Sequence, residues 1–132
     1  MLVPCEVAVR CALPAIRAMI ANELMRNYKL RQKDAAKLLG ISQPAISLYY
    51  RKIRGQAIDL GNDSDIKSMT AELARRLSGG KLPQTEFISN LCQICKTMRA
   101  KGLLCEMHRT FDPSIDIEQC ELCKSMKLVG CI

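Results

Sequence analysis

Six side chains able to bind a metal fall into three pairs of one spacing towards the end of the chain: Cys92 and Cys95, Cys105 and His108, Cys120 and Cys123, with Cys131 beyond them. Two intervening residues let neighbouring ligands reach one ion, because both project from the same side of a turn. The two Cys-x2-Cys pairs stand 24 residues apart, so a metal that takes both closes the intervening chain into a loop. No apolar pattern in the sequence constrains the fold as tightly. A module below about 70 residues rarely buries enough apolar surface to fold unaided, and a metal staple supplies what such a tail lacks.

The identity of the metal is open at this level. Zinc needs four ligands, which Cys92, Cys95, Cys120 and Cys123 can supply, leaving Cys105 and His108 for structure or a second site. An iron–sulfur cluster also takes four, commonly all Cys, and accounts for the spare thiols. Neither Cys-x2-Cys pair carries the Gly or Pro that zinc knuckles often use for their turn, which favours iron–sulfur over zinc. His108 is the single histidine of the chain and a candidate ligand. Cys5 and Cys11, far away in sequence on an apolar face, read as small buried hydrophobes.

The eight Cys are read as thiolate ligands rather than disulfides because the chain is expected to stay in the cytoplasm. The stretch Met1-Leu2-Val3-Pro4-Cys5-Glu6 lacks the basic leader of a signal peptide. No window approaches the roughly 18 apolar residues of a membrane span, so no membrane partner is expected. Aromatic residues make up 4% of the chain and there is no Trp. With apolar positions held mainly by Ala, Leu, Ile, Val, Met and Cys, the expected fold is mostly α.

Periodicity places the helices. Pro4 to Cys11 reads as a short helical lead-in, and Pro14 as the opening residue of a longer helix carrying Ile16, Met19, Ile20, Leu24 and Tyr28. Gln32 to Leu39 is a shorter one with Ala35, Leu38 and Leu39 inward, ended by Gly40. Ser42 caps a third, with Pro44 in its first turn and Ile46, Tyr49 and Tyr50 on its apolar side, the tyrosines as one core and one rim residue. Asp65 is expected to cap a fourth, whose stripe Ile66, Met69, Leu73 and Leu77 either packs on its own domain or forms a dimer seam, and Gly79-Gly80 ends it. A boundary near 79–83 divides the chain into residues 1–80 and 81–132. In the second part, Gln84 to Ala100 is expected to be helical, Gly102 to Asp116 irregular, and Ile117 to Lys127 a short helix.

Arg31-Gln32-Lys33-Asp34-Ala35-Ala36-Lys37-Leu38-Leu39-Gly40-Ile41-Ser42-Gln43-Pro44-Ala45-Ile46-Ser47-Leu48-Tyr49 has the make-up of a tight pair of helices. Ala36 is small where the helices cross, Gly40 turns the chain, and Ile41 and Ile46 plug the junction. Over roughly residues 14–60 this stretch resembles the helix-turn-helix of Cro/C1-type repressors, and a lambda-repressor-like bundle is what the resemblance implies. It also implies that the helix from Ser42 is a recognition helix in the major groove. Gln43 would then pair with adenine, and Ser47 and Leu48 would reach base edges. Gln32 matches the family position that touches a phosphate through a helix N-terminus. Arg51, Lys52 and Arg54 would fix the backbone register. Pro44 and Leu48 depart from the polar residues common in such helices, which shifts weight to DNA shape. The whole arrangement, head and Cys-rich tail, is similar to archaeal predicted regulators.

Charge agrees with a polyanionic partner. Of the 20 Lys and Arg, ten lie in residues 1–60 against four of the 13 Asp and Glu, so the excess behind the net +7 sits in the front half. The expectation is a sequence-specific transcriptional regulator that binds double-stranded DNA as a homodimer, with a metal centre that staples the tail and senses redox state or iron. The alternative is a zinc-stapled scaffold for protein contacts or architectural DNA binding. An enzyme is not expected, since the lone His has no evident Ser or acid partner and no Gly-rich phosphate loop is present.

Overall fold

The computed structural model describes residues 1–51, 55, 58 and 60–125, with the side chains of Lys124 and Ser125 excepted. It is mostly helical, with no strand among the described residues. The first helical run is longer than the sequence suggests. Helix α1 (Pro4–Val7) passes through one wide π turn (Ala8–Ala12) directly into α2 (Leu13–Arg26). Pro14 is therefore inside a continuous run and does not open it. A proline there has no N–H for the carbonyl four residues back and crowds it, and the wide turn relieves both problems. Its signature is the Leu13 N–H, which bonds the Ala8 carbonyl five residues earlier.

Two short helices follow, α3 (Gln32–Leu39) and α4 (Gln43–Tyr50), joined by Gly40-Ile41-Ser42. Gly40 adopts a left-handed φ of 69°, and the Ile41 N–H reaches back to the Ala36 carbonyl at 3.1 Å. Ser42 caps α4 by accepting from the Ala45 N–H at 3.2 Å. Gly55 is held most tightly: its φ is 79°, and a Cβ there would lie 2.8 Å from both the Ala18 Cβ and the Pro14 carbonyl oxygen.

Helix α5 (Ser64–Ser78) is capped by Asp63, not Asp65, with the Asp63 carboxylate accepting from the Ile66 N–H at 3.0 Å. Its stripe turns inward: Ile66, Leu73 and Leu77 are buried and Met69 packs beside them, so these residues serve this chain's own core and not a dimer seam. Helix α6 (Gln84–Ala100) runs back along α5. Arg76 pairs with Glu86 near the turn, while Lys101 at the far end reaches Asp63 at 3.1 Å and Asp65 at 2.5 Å. The apolar core is continuous from Val7 and Ile16 through Ile46 and Leu73 to Phe87, Ile94 and Leu104.

The segment after Gly102, expected to be irregular, contains α7 (Cys105–Phe111). Of the helix expected over 117–127, the described residues form α8 (Leu122–Ser125), and the last two positions of that range lie outside them. Among the described residues no helix is long and apolar enough to cross a membrane.

Candidate metal centre and nucleic-acid interface

The first helix and the tail meet. The Leu2 N–H donates to the Asp112 carboxylate at 3.0 Å, and His108 Nε2 lies 2.9 Å from the Leu2 carbonyl oxygen. A carbonyl only accepts, so Nε2 carries the proton, and a neutral ring in this arrangement has its lone pair on Nδ1. A backbone carbonyl on the far nitrogen is the usual way a ligating histidine is oriented. The Asp112 carboxyl is held below the usual range by the Ser114 hydroxyl and the Leu2 N–H.

Around this contact lies a cavity of about 20 Å³ whose wall includes Cys105, His108, Cys120, Cys123 and Arg99. Four of the six sequence-predicted ligands thus share one wall. Cys95 is not part of that wall. On α6, Cys92, Cys95 and Arg99 recur at helical spacing beside the buried row Phe87, Leu91, Ile94 and Met98. Cys92 does not line the cavity. Among the described residues no three His, Cys, Asp or Glu side chains are gathered as a ready metal-holding group. No disulfide joins any of the seven described cysteines. Cys131 lies outside the described residues.

Sequence reasoning missed two residues that stand beside these candidates. Arg99 is 7% exposed, and its Nε is buried without a hydrogen-bond partner. Burial opposes its charge, but the sulfurs of Cys123, Cys5 and Cys95 outweigh that, and the guanidinium is held above its ordinary range. Cys5 is the second: it is half-buried, and its Sγ stands 3.8 Å from an Arg99 terminal nitrogen. No local signal could reveal this, since the two residues are 94 positions apart. Cys11 is what the sequence suggested, a fully buried thiol donating to the Val7 carbonyl at 3.2 Å. Burial pushes its pKa up. Cys11 is therefore expected to be the last described cysteine of the folded, metal-free protein to react with iodoacetamide, as peptide mass spectrometry would read.

The other candidate surface is on α4. Ile46 and Tyr49 take its inner face, with Tyr49 2% exposed, which leaves Pro44, Ser47, Leu48 and Arg51 on the opposite side. Ser42, Gln43 and Pro44 are exposed at its N-terminal end, Ser47 and Leu48 are half-buried, and Arg51 is exposed. Tyr50 is 45% exposed, the rim partner of Tyr49. Gln32 begins α3, half-buried between exposed Arg31 and Lys33. Lys52 and Arg54 lie outside the described residues.

Comparison with family models, curated proteins and solved structures found no match to this chain.

Proposed function

We propose that the chain is a DNA-binding transcriptional regulator whose α3 and α4 form a helix-turn-helix and whose tail holds a thiolate-bound metal. The observation that carries the DNA reading is the presentation of α4: Ile46 and Tyr49 are clamped inward while Ser42, Gln43 and Pro44 stand exposed with Arg51 beyond. A helix held this way can enter a major groove N-terminus first. The basic excess of the front half supplies the phosphate attraction. One such head reads only a half-site, so a homodimer is the form proposed on the operator.

For the metal, the fit rests on the donors and the space. Soft thiolates and one imidazole with its far nitrogen on a carbonyl suit a thiophilic ion. The space these side chains border is about 20 Å³. When bound, the metal would cross-link the tail. The colour and metal content of anaerobically purified protein decide between zinc, which is colourless, and iron–sulfur, which is brown.

Selection of duplexes from a random pool, followed by fluorescence anisotropy, tests the DNA reading. Against the selected duplex, Gln43→Ala is expected to lose about 1–3 kcal/mol and to relax preference at one base pair. Arg51→Ala is expected to weaken all sequences alike and to reduce the salt slope by about 1. A chain that retains no duplex above background at about 50 mM salt, where phosphate attraction is strong, would refute the proposal.

A further inference from the structure

We propose that a groove between α3 and α6 binds a small amphipathic monoanion, a carboxylate on a short apolar body, and that this ligand acts on the pair α3 and α4. The effector role rests on the DNA reading above, whereas the site itself stands without it. Helix α3 packs on α2 and α4, and α6 packs on α5 and α2, which leaves the gap. Its volume is about 330 Å³, within the range of small-molecule sites. Leu38 of α3, Leu77 of α5, Phe87 and Leu91 of α6, and Leu82 of the turn before α6 make the apolar lining.

Three polar side chains border the same space: Arg17 of α2, Lys37 of α3 and Gln84 of α6. Arg17 is half-buried and Lys37 exposed. Among the described residues neither cation is joined to a carboxylate. The acid nearest in the lining, Asp34 of the adjoining open space, is held by Arg31 at 3.3 Å. Two cations without acids beside an apolar floor complement one negative charge on an apolar body. A guanidinium offers a carboxylate two parallel N–H donors, and the Gln84 carboxamide can add another. A second negative charge on the ligand would fall on the apolar lining or beside Asp34, so the ligand is a monoanion.

A second copy of the chain is the other occupant to weigh. A standard interface takes about 800 Å² from each side, but this floor is recessed: Leu77, Phe87 and Leu91 are 4%, 9% and 8% exposed. Of the lining residues only Ile88 is a large apolar side chain that stands exposed. The groove has depth for a small molecule and little raised apolar surface for a protein. Its position supplies the effect. Leu38 lies two residues before the Gly40 turn into α4, so a ligand held between α3 and α6 loads the element that positions α4. Such a ligand shifts duplex affinity by its differing affinity for the two arrangements, and duplex shifts ligand affinity by the same factor.

Calorimetric titration of the full chain with octanoate tests the site. Wild type is expected to bind it saturably at one site, and to bind octylammonium, the same apolar chain with the opposite charge, at least about tenfold more weakly. Arg17→Gln is expected to weaken octanoate about tenfold, and Lys37→Gln, at an exposed position that leaves the fold intact, about two- to fivefold. Leu82→Glu, which sets a like charge in the groove, should abolish binding. Saturating octanoate is expected to shift duplex affinity at least about fivefold.

No octanoate uptake by wild type would overturn the site. Equal binding of octanoate and octylammonium, or wild-type octanoate affinity in both Arg17→Gln and Lys37→Gln, would reduce it to apolar adsorption and overturn it too. A sedimenting dimer that Ile88→Asp splits, in a chain that takes no octanoate, would assign the groove to a second copy instead. Unchanged duplex affinity at saturating octanoate would overturn the effector role. A chain that takes octanoate with the expected charge preference and no duplex would support the site and refute the DNA reading.

Discussion

Tyr49→Ala is expected to lower the stability of the chain by about 3–5 kcal/mol, seen as a fall in the urea midpoint at unchanged slope. Tyr49 is 2% exposed and is among the largest fully buried side chains of the fold. It stands one turn from Ile46 on the inner face of α4, where that helix packs on α2 and α3. Truncation removes the transfer free energy of a large ring and leaves a cavity that rigid neighbouring helices fill only in part. A domain of ordinary stability holds about 5–15 kcal/mol in total, so this one change takes a large share. Tyr50→Ala is the internal control, exposed and expected to shift stability by no more than about 0.5 kcal/mol. A loss below about 1 kcal/mol for Tyr49→Ala would be out of line with full burial and would mean that α4 is not anchored through its inner face.

The same residue shows what was legible in the sequence. Helix ends set by local chemistry came through: Gly40 ends α3, Ser42 caps α4, Gly79-Gly80 follows α5, and Gln84–Ala100 is helical as expected. The Tyr49 and Tyr50 assignment follows from helical period alone. Errors arose where two local rules competed. Pro14 suits a first turn, yet a π turn absorbs it inside a longer run. Asp63 and Asp65 can each cap, and the one whose carboxylate meets the Ile66 N–H does so. Helix α7 spans seven residues, too short for periodicity to stand out, and tertiary contacts to α1 support it.

For the metal candidates, the pairing of Cys120 with Cys123 and of Cys105 with His108 was legible, and the structure brings all four to one cavity. Arg99 and Cys5 were not legible. A lysine or arginine in a helix normally reads as a solvent-facing charge, and only the closure of α1, α6, α7 and α8 on one another turns Arg99 inward. Cys92 and Cys95, one of the two closest-spaced thiol pairs, stand on α6 outside that cavity wall.

Removing the metal from loaded protein with a chelator is the second large expected effect. If the free ion is kept near 100 times its dissociation constant, binding to the folded state alone adds about 2.7 kcal/mol. For a chain of this length each kcal/mol corresponds to about 3–5 °C, so the melting temperature should fall by about 10 °C on chelation. The loss should also be uneven. Helices α7 and α8, which carry candidate donors, and α1, which packs on α7, contribute few residues to the core, whereas α2 through α5 bury Ile16, Ile20, Leu24, Ile46, Ile66 and Leu73 in it without help from a metal. Hydrogen exchange should therefore quicken over Pro4–Val7, Cys105–Phe111 and Leu122–Ser125 while α2 to α5 stay protected. Because α1 runs without a break into α2, its release would be felt at the edge of the half proposed to read DNA, and on that proposal duplex affinity is expected to change in the chelated protein. Uniform loss of protection across all helices would mean that the metal holds the whole fold together. Loss confined to α7 and α8, with α1 unaffected, would mean that the metal closes the tail alone.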